Sequence, residues 1–186
     1  MQRIIIIAGP SGVGKTTITD YLSKKYNIPR VITHTTRPMR KGEKDGKSYY
    51  FETDETFKKF HFFEHVKYGN YQYGSSREAL DRAWQKNDIV SLIVETDGVK
   101  AYLEELEDKA YFIYLRVSDN NLLKKRLIAR GDEPKEIDKR LNSKEFKRDL
   151  KLNDYLARKA HYIENDDLEN TKEKLDQIIQ SLRQNG

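Results

Sequence analysis

The chain has 186 residues, 37% hydrophobic and 35% charged, with a net charge of +5 and no cysteine. That length suits one domain with a sizeable core, and the missing cysteine excludes disulfides, thiol catalysis and Cys-ligated zinc. No run of 18 apolar residues occurs, which excludes an apolar membrane-spanning helix.

The chain opens with a β-branched run, Arg3 to Ala8, as expected of a strand buried on both faces. This run is too short for a secretory segment and, with the absence of cysteine, predicts a cytoplasmic protein. Residues 9–16 read as a loop. Residues 16–26 read as a helix, with Ile18, Tyr21 and Leu22 at helical spacing and Pro29 beyond its end. The stretch 33–75 is rich in Tyr, Phe, Thr and Gly and predicts a partly β insertion, with short strands near 48–51 and over Phe62–Tyr68. Residues 89–94 and 111–117 are continuous apolar runs, the pattern of strands in a covered parallel sheet. Between them Val99, Tyr102, Leu103 and Leu106 mark a helix, and Leu122, Leu123, Arg126 and Leu127 mark the next. Residues 127–150 are densely charged and helical, punctuated by Gly131 and Pro134, and read as a mobile arm. Leu168, Leu175, Ile178, Ile179 and Leu182 mark a last helix. Alternating strands and helices predict an α/β fold around a parallel sheet.

Gly9-Pro10-Ser11-Gly12-Val13-Gly14-Lys15-Thr16 matches the G-x-x-x-x-G-K-[ST] pattern between a predicted strand and helix. Its glycines let successive backbone N–H groups approach phosphate oxygens, and the following helix adds its positive end. In such a loop Lys15 reaches the β- and γ-phosphates and the Thr16 hydroxyl ligates Mg²⁺. The pattern specifies nucleotide binding, with Gly9, Ser11, Gly12, Val13, Gly14, Lys15, Thr16 and Thr17 as its contacts, but it does not separate a kinase from a GTPase or a motor ATPase. A positive net charge also suits a phosphate-rich partner. The basic residues are interleaved with acids, as in Lys41-Gly42-Glu43-Lys44-Asp45-Gly46-Lys47, so neither nucleic acid nor a membrane surface is predicted as a partner. The histidines show no metal-ligand spacing, and no partner for His34 is legible.

From Thr33 the chain reads Thr-His-Thr-Thr-Arg-Pro-Met-Arg-Lys-Gly-Glu-Lys-Asp-Gly-Lys-Ser-Tyr-Tyr-Phe. Further on come Phe63-Glu64-His65, residues 69–75, Lys125-Arg126-Leu127 with Arg130-Gly131, Lys139-Arg140-Leu141 and Asn165-Asp166-Asp167-Leu168. In this order, over nearly the whole chain, the sequence resembles the guanylate kinase family. The resemblance implies a P-loop NTPase fold in three parts. These are a parallel-sheet core (1–32, 76–126 and 151–186), a nucleotide-monophosphate-binding insertion (33–75) and a helical lid (127–150). It implies transfer of the γ-phosphoryl group from ATP to GMP or dGMP, with Mg²⁺ and no covalent intermediate. Arg37, Arg40, Tyr49 and Tyr73 would hold the acceptor phosphate, and Thr33, Glu64 and Ser75 would face guanine. Glu43 and Glu95 would belong to the same acceptor site. Arg130 and Arg140 would close over the transferring group together with Lys15, and Asn165 would meet the donor adenine. The resemblance fixes no oligomeric state.

Two departures stand out. The family usually has Arg-x-Pro-Arg where this chain has Arg37-Pro38-Met39-Arg40, and Asp-x-Asp where it has Ile93-Val94-Glu95. The second leaves open a kinase of the same fold acting on another nucleotide. Other readings are a weakly catalytic interaction module, against which Gly14-Lys15-Thr16 stands intact, and an RNA-binding ATPase, suggested by charge alone.

Overall fold

The computed structural model describes every residue except Lys41, Gly69, Asn185 and Gly186, so Gly69 of the family-like stretch 69–75 lies outside the described residues. Its core is a parallel sheet of β1 (Arg3–Ala8), β6 (Ile89–Ile93), β7 (Ala110–Arg116) and β8 (His161–Glu164), in the order β6-β1-β7-β8. Residues 29–31 extend the β6 edge, where the Val31 N–H donates to Ser91 O at 2.7 Å and the Ser91 N–H to Pro29 O at 2.9 Å.

Side chains alternate across a strand, so the isoleucine run of β1 feeds two cores. Ile4 and Ile6 pack with Val99, Tyr102 and Phe112 on one face of the sheet. Ile5 and Ile7 pack with Ile18, Leu22, Leu123 and Leu175 on the other. The first face is covered by α3 (Arg77–Trp84) and α4 (Thr96–Leu106). The second is covered by α1 (Lys15–Tyr26), α5 (Asn121–Ala129) and α9 (Leu168–Gln184). Helix α1 ends where Asn27 turns left-handed (φ 57°) and its N–H returns to the carbonyls of Leu22 and Ser23.

A second sheet is built from β2 (His34–Thr35), β3 (Tyr50–Phe51), β4 (Phe62–Tyr68) and β5 (Tyr71–Ser76), in the order β3-β2-β5-β4. It is mixed, with β2 parallel to β3 and antiparallel to β5. The four-residue α2 (Asp54–Phe57) carries a capping box between Thr53 and Thr56. The charged stretch after α5 holds α6 (Pro134–Leu141), α7 (Lys144–Asp149) and then α8 (Asp154–Lys159).

Three differences from the sequence reading have physical causes. Helix α1 begins at Lys15, one residue earlier than periodicity indicates, because Gly14 (φ 106°) serves as its N-cap. Strand β8 is an edge strand with one fully buried residue, Ile163, so it lacks the apolar run that reveals its neighbours. Helix α3 spans 8 residues, too few for its period to register against the aromatic insertion before it.

His34 ties the second sheet together. It is fully buried, with Nδ1 2.9 Å from Glu52 Oε1 and Nε2 2.8 Å from Ser76 Oγ, and Ser76 caps α3. Burial lowers its pKa, opposed by Glu52. The unfolded chain therefore binds the proton more readily, and stability falls as pH drops below the unfolded value of about 6.5. Melting temperatures between pH 7.5 and 5.5 should decline in the wild type, and the decline should be shallower in His34→Asn. An equal slope in both would place the titration elsewhere.

Candidate active site

Phosphate-loop geometry follows from its glycines. Gly9 has φ 144°, and a Cβ there would stand 2.3 Å from the Leu115 carbonyl oxygen. At Gly14 a Cβ would stand 2.4 Å from Asn165 Nδ2. Side chains at these points would push the loop off β7 and the β8–α9 junction. Lys15 folds back over the loop, donating to Gly9 O at 2.6 Å and Pro10 O at 3.1 Å. Burial lowers its pKa, while the charges of Asp149 and Glu95 pull the other way.

A cavity of about 780 Å³ opens beside the loop, lined by Ser11, Gly12, Lys15, Thr16, Arg126 and Arg130 among others. A smaller one, of about 250 Å³, is lined by residues that include Thr16, Arg30, Thr33, Tyr49 and Ile93. Thr16 lies on the wall of both, so the first turn of α1 joins the two spaces. Thr17 is exposed beside it and also lines the larger cavity.

Several basic groups near these cavities are held by carboxylates. The Arg37 guanidinium is buried and donates to Glu43 Oε1 at 2.7 Å. It also lies 5.6 Å from the Tyr49 ring centroid, and Tyr49 meets Tyr73 edge-on at 6.1 Å. Glu43 Oε2 accepts the Arg40 backbone N–H at 2.7 Å, so one carboxylate shapes the Arg37-Pro38-Met39-Arg40 loop. These bonds hold Glu43 below the usual carboxylate range, the Arg37 bond most of all. The exposed Arg40 side chain makes no hydrogen bond or ion pair among the described residues, and its charge acts on Glu43 from a distance.

Between α5 and α6, Arg130 pairs with Asp132 through both Nε, at 2.8 Å, and Nη2. Arg140 reaches the same Asp132 at 3.3 Å and Ser11 Oγ at 3.4 Å. Both arginines thus stand over the phosphate loop on one acid.

Glu64 and Ser75 form a separate pair, outside the lining of the smaller cavity, with Ser75 Oγ donating to Glu64 Oε1 at 2.8 Å. Burial raises the Glu64 pKa, the Ser75 bond lowers it, and the Glu95 charge raises it further. Glu95 therefore lies within electrostatic reach of both Lys15 and Glu64. It stands at the start of α4, exposed, and pairs with Arg148 at 2.8 Å. Ile93 is a wall of the smaller cavity.

A family description of guanylate kinase matches residues 1–182. The chain belongs to the guanylate kinase family. A guanylate kinase of Helicobacter pylori is 35% identical over 189 aligned residues, covering 97% of this chain and 87% of that one. One from Thermus thermophilus is 34% identical, covering 83% and 73%, and one from Clostridium tetani is 34% identical, covering 95% and 84%. The crystal structure of guanylate kinase from Anaplasma phagocytophilum superposes with a TM-score of 0.63 at 23% identity, over 97% of this chain and 85% of that one, which shows the shared fold.

Asn165, expected at the donor base, is buried and lines the larger cavity, and its amide also braces the loop. Its Nδ2 donates to Val13 O at 2.7 Å and its Oδ1 accepts from Thr171 at 2.9 Å. Arg126 braces the same place through Asn165 O at 2.7 Å. Asp149 is buried beside Lys15, accepting from Thr96 Oγ1 at 2.5 Å, and Arg148 ties it to Glu95 and Asp97. Sequence reasoning missed the parts played by Arg126, Arg148 and Asp149, because charged residues in and after α5 gave no periodic signal that set these apart from a solvated surface. Asn165→Ala should take from the Val13 carbonyl its shorter bond, leaving it only the long one from Arg126 at 3.4 Å, at a cost of roughly 1 kcal/mol. Urea denaturation should register that loss, and titration with a nucleoside triphosphate should show weaker binding. Unchanged values in both would remove Asn165 as the loop's brace.

Proposed function

We propose that this protein transfers the γ-phosphoryl group of ATP to GMP or dGMP by direct displacement. The observation that carries the reading is the shared position of Thr16, which brings the donor and acceptor spaces to one helix end. A donor triphosphate would lie along the phosphate loop, and Lys15 would exchange its bonds to Gly9 and Pro10 for phosphate oxygens. The acceptor phosphate would take the Arg37 guanidinium, with Arg40, Tyr49 and Tyr73 around it. Thr33, Glu64 and Ser75 would face the base, and Glu43 and Glu95 would hold the arginines that border the site. Arg130 and Arg140 would leave Asp132 for the transferring group as the lid closes and excludes water.

The Thr16 hydroxyl is exposed and has no protein partner among the described residues, which fits a ligand to Mg²⁺. No cluster of three or more acidic or histidine groups among the described residues could complete a shell, so phosphate and water oxygens would supply the rest. When bound, Mg²⁺ neutralises phosphate charge. The chain itself needs no general base, because positioning and charge stabilisation account for most of such a transfer. No helix among the described residues is long and apolar enough to cross a membrane.

Ionised Glu64 only accepts hydrogen bonds, and guanine offers it adjacent N1–H and N2–H₂ donors, whereas adenine presents an acceptor at N1. A coupled ADP-release assay across the common nucleoside monophosphates should rank GMP and dGMP first, IMP lower and AMP last. GMP should exceed AMP by a factor of about 10⁴ in kcat/KM. AMP or a pyrimidine nucleotide turning over as well as GMP would favour a kinase for another nucleotide. In the same assay Arg37→Ala should chiefly raise the KM for GMP, and Arg130→Ala should chiefly lower kcat. The reverse split would exchange their assignments.

A further inference from the structure

Behind Glu64 lies a hydrogen-bond chain that the proposed reaction does not use. Tyr102, on α4, is 1% exposed, and its ring stacks on Phe63 at 4.4 Å. Its hydroxyl donates to Ser75 Oγ, and Ser75 donates to Glu64 Oε1 at 2.8 Å. One turn earlier on the same helix face, Gly98 sits so close to Glu64 that a Cβ would meet Glu64 Cγ at 3.0 Å. Helix α4 thus forms the back wall of the carboxylate.

The order of protons along this chain is fixed by counting. A serine hydroxyl has one proton, and an ionised carboxylate has none. With Glu64 ionised, the Ser75 proton must point to Glu64, and the Tyr102 proton must fill the acceptor side of Ser75. Among the described residues, Tyr102 has no other hydrogen-bond partner. Reversing the chain would require a protonated Glu64. No protein bond reaches Glu64 Oε2 among the described residues, so that oxygen is left for a ligand.

We propose that Tyr102 is a positioning residue for base selection, whose buried hydroxyl fixes the order Tyr102 to Ser75 to Glu64 and keeps Glu64 an ionised acceptor for guanine. This rests on the reading that Glu64 faces the base. Without the Tyr102 hydroxyl, Ser75 keeps a buried, unfilled acceptor and is a weaker donor to Glu64. Glu64 then takes up a proton more easily, and a protonated Glu64 can donate to N1 of adenine. The surroundings of Glu64 reinforce the need for such a device. Glu95 lies at the start of α4 and raises the Glu64 pKa, with His65 on Glu64's own strand opposing. Glu105 on α4 faces Tyr102, and Arg77 of α3 covers the Phe63 ring at 5.2 Å and pairs with Glu105. Thus the carboxyl is pushed toward neutrality by burial and by Glu95, with the Ser75 bond the chief opposing influence.

Tyr102→Phe keeps the ring and removes the hydroxyl. It should raise the KM for GMP roughly three- to tenfold, the range one lost hydrogen bond supports. The KM for ATP and kcat should stay within a factor of two. The acid limb of kcat/KM for GMP should move to higher pH, and the ratio of kcat/KM for GMP over AMP should narrow. In a Ser75→Ala background, Tyr102→Phe should add nothing to these effects, because the chain is already cut. Site-specific 3-fluorotyrosine at position 102, a stronger donor of nearly the same size, should move the acid limb to lower pH. This substitution reads the chain even if the Phe variant fails to fold. A folded Tyr102→Phe with wild-type GMP KM and acid limb, additive effects with Ser75→Ala, or no response to fluorination would each overturn the proposal. These outcomes leave the guanine reading standing as long as the wild type prefers GMP. A wild type without that preference would sink the guanine reading itself.

Discussion

The structure depends on meeting phosphate charge with backbone N–H groups at one point, the turn between β1 and α1. That turn requires a buried strand on one side, a helix start on the other, and glycines where neighbours leave no room for a Cβ. β1 sits between β6 and β7, with isoleucines feeding both cores, so the loop rises from the centre of the sheet. Asn165 and Arg126 clamp it from the side through Val13, although they lie far along the chain. The anion site is therefore a property of the whole core, and its rigidity is what lets Lys15 and Thr16 be placed in advance.

Around that fixed point the charges are arranged in pairs and clusters. Arg37 is held by Glu43, Arg130 and Arg140 by Asp132, and Arg148 by Glu95, Asp97 and Asp149. A buried guanidinium without a partner would be costly, and Glu43 meets that need for Arg37, whereas Arg130 and Arg140 are exposed and their shared acid chiefly fixes where they stand. Asp149, buried beside Lys15, and the Arg148 bridge add a link between α7 and the start of α4 that touches the same electrostatic field as Glu64.

The sequence made the core plain because parallel strands buried on both faces read as unbroken apolar runs, and the phosphate loop announces itself by spacing. It left β8 hidden, since an edge strand carries His161 and Glu164 outward and buries little. Residue types also said little about direction. Asn165, expected at the donor base, lines the larger cavity, and the inward bonds of its amide to Val13 and Thr171 were not legible from its residue type. His34 offered no partner in sequence because Glu52 and Ser76 reach it only through the folded second sheet. Tyr102 fell into the helical apolar period of α4 and read as core, which it is. Its hydroxyl becomes meaningful only when β5 brings Ser75 beside it.

The central claim is that the two cavities meeting at Thr16 let one phosphoryl group pass directly from donor to acceptor. The stereochemistry at phosphorus tests this most directly. With ATP made chiral at the γ-phosphorus by sulfur and oxygen isotopes, and GMP as acceptor, a single in-line displacement inverts configuration. The account predicts inversion in the GDP product. Retention would mean two displacements through a phosphorylated side chain, and would contradict a site in which Lys15, Thr16 and the arginines position the reactants without taking the phosphoryl group themselves.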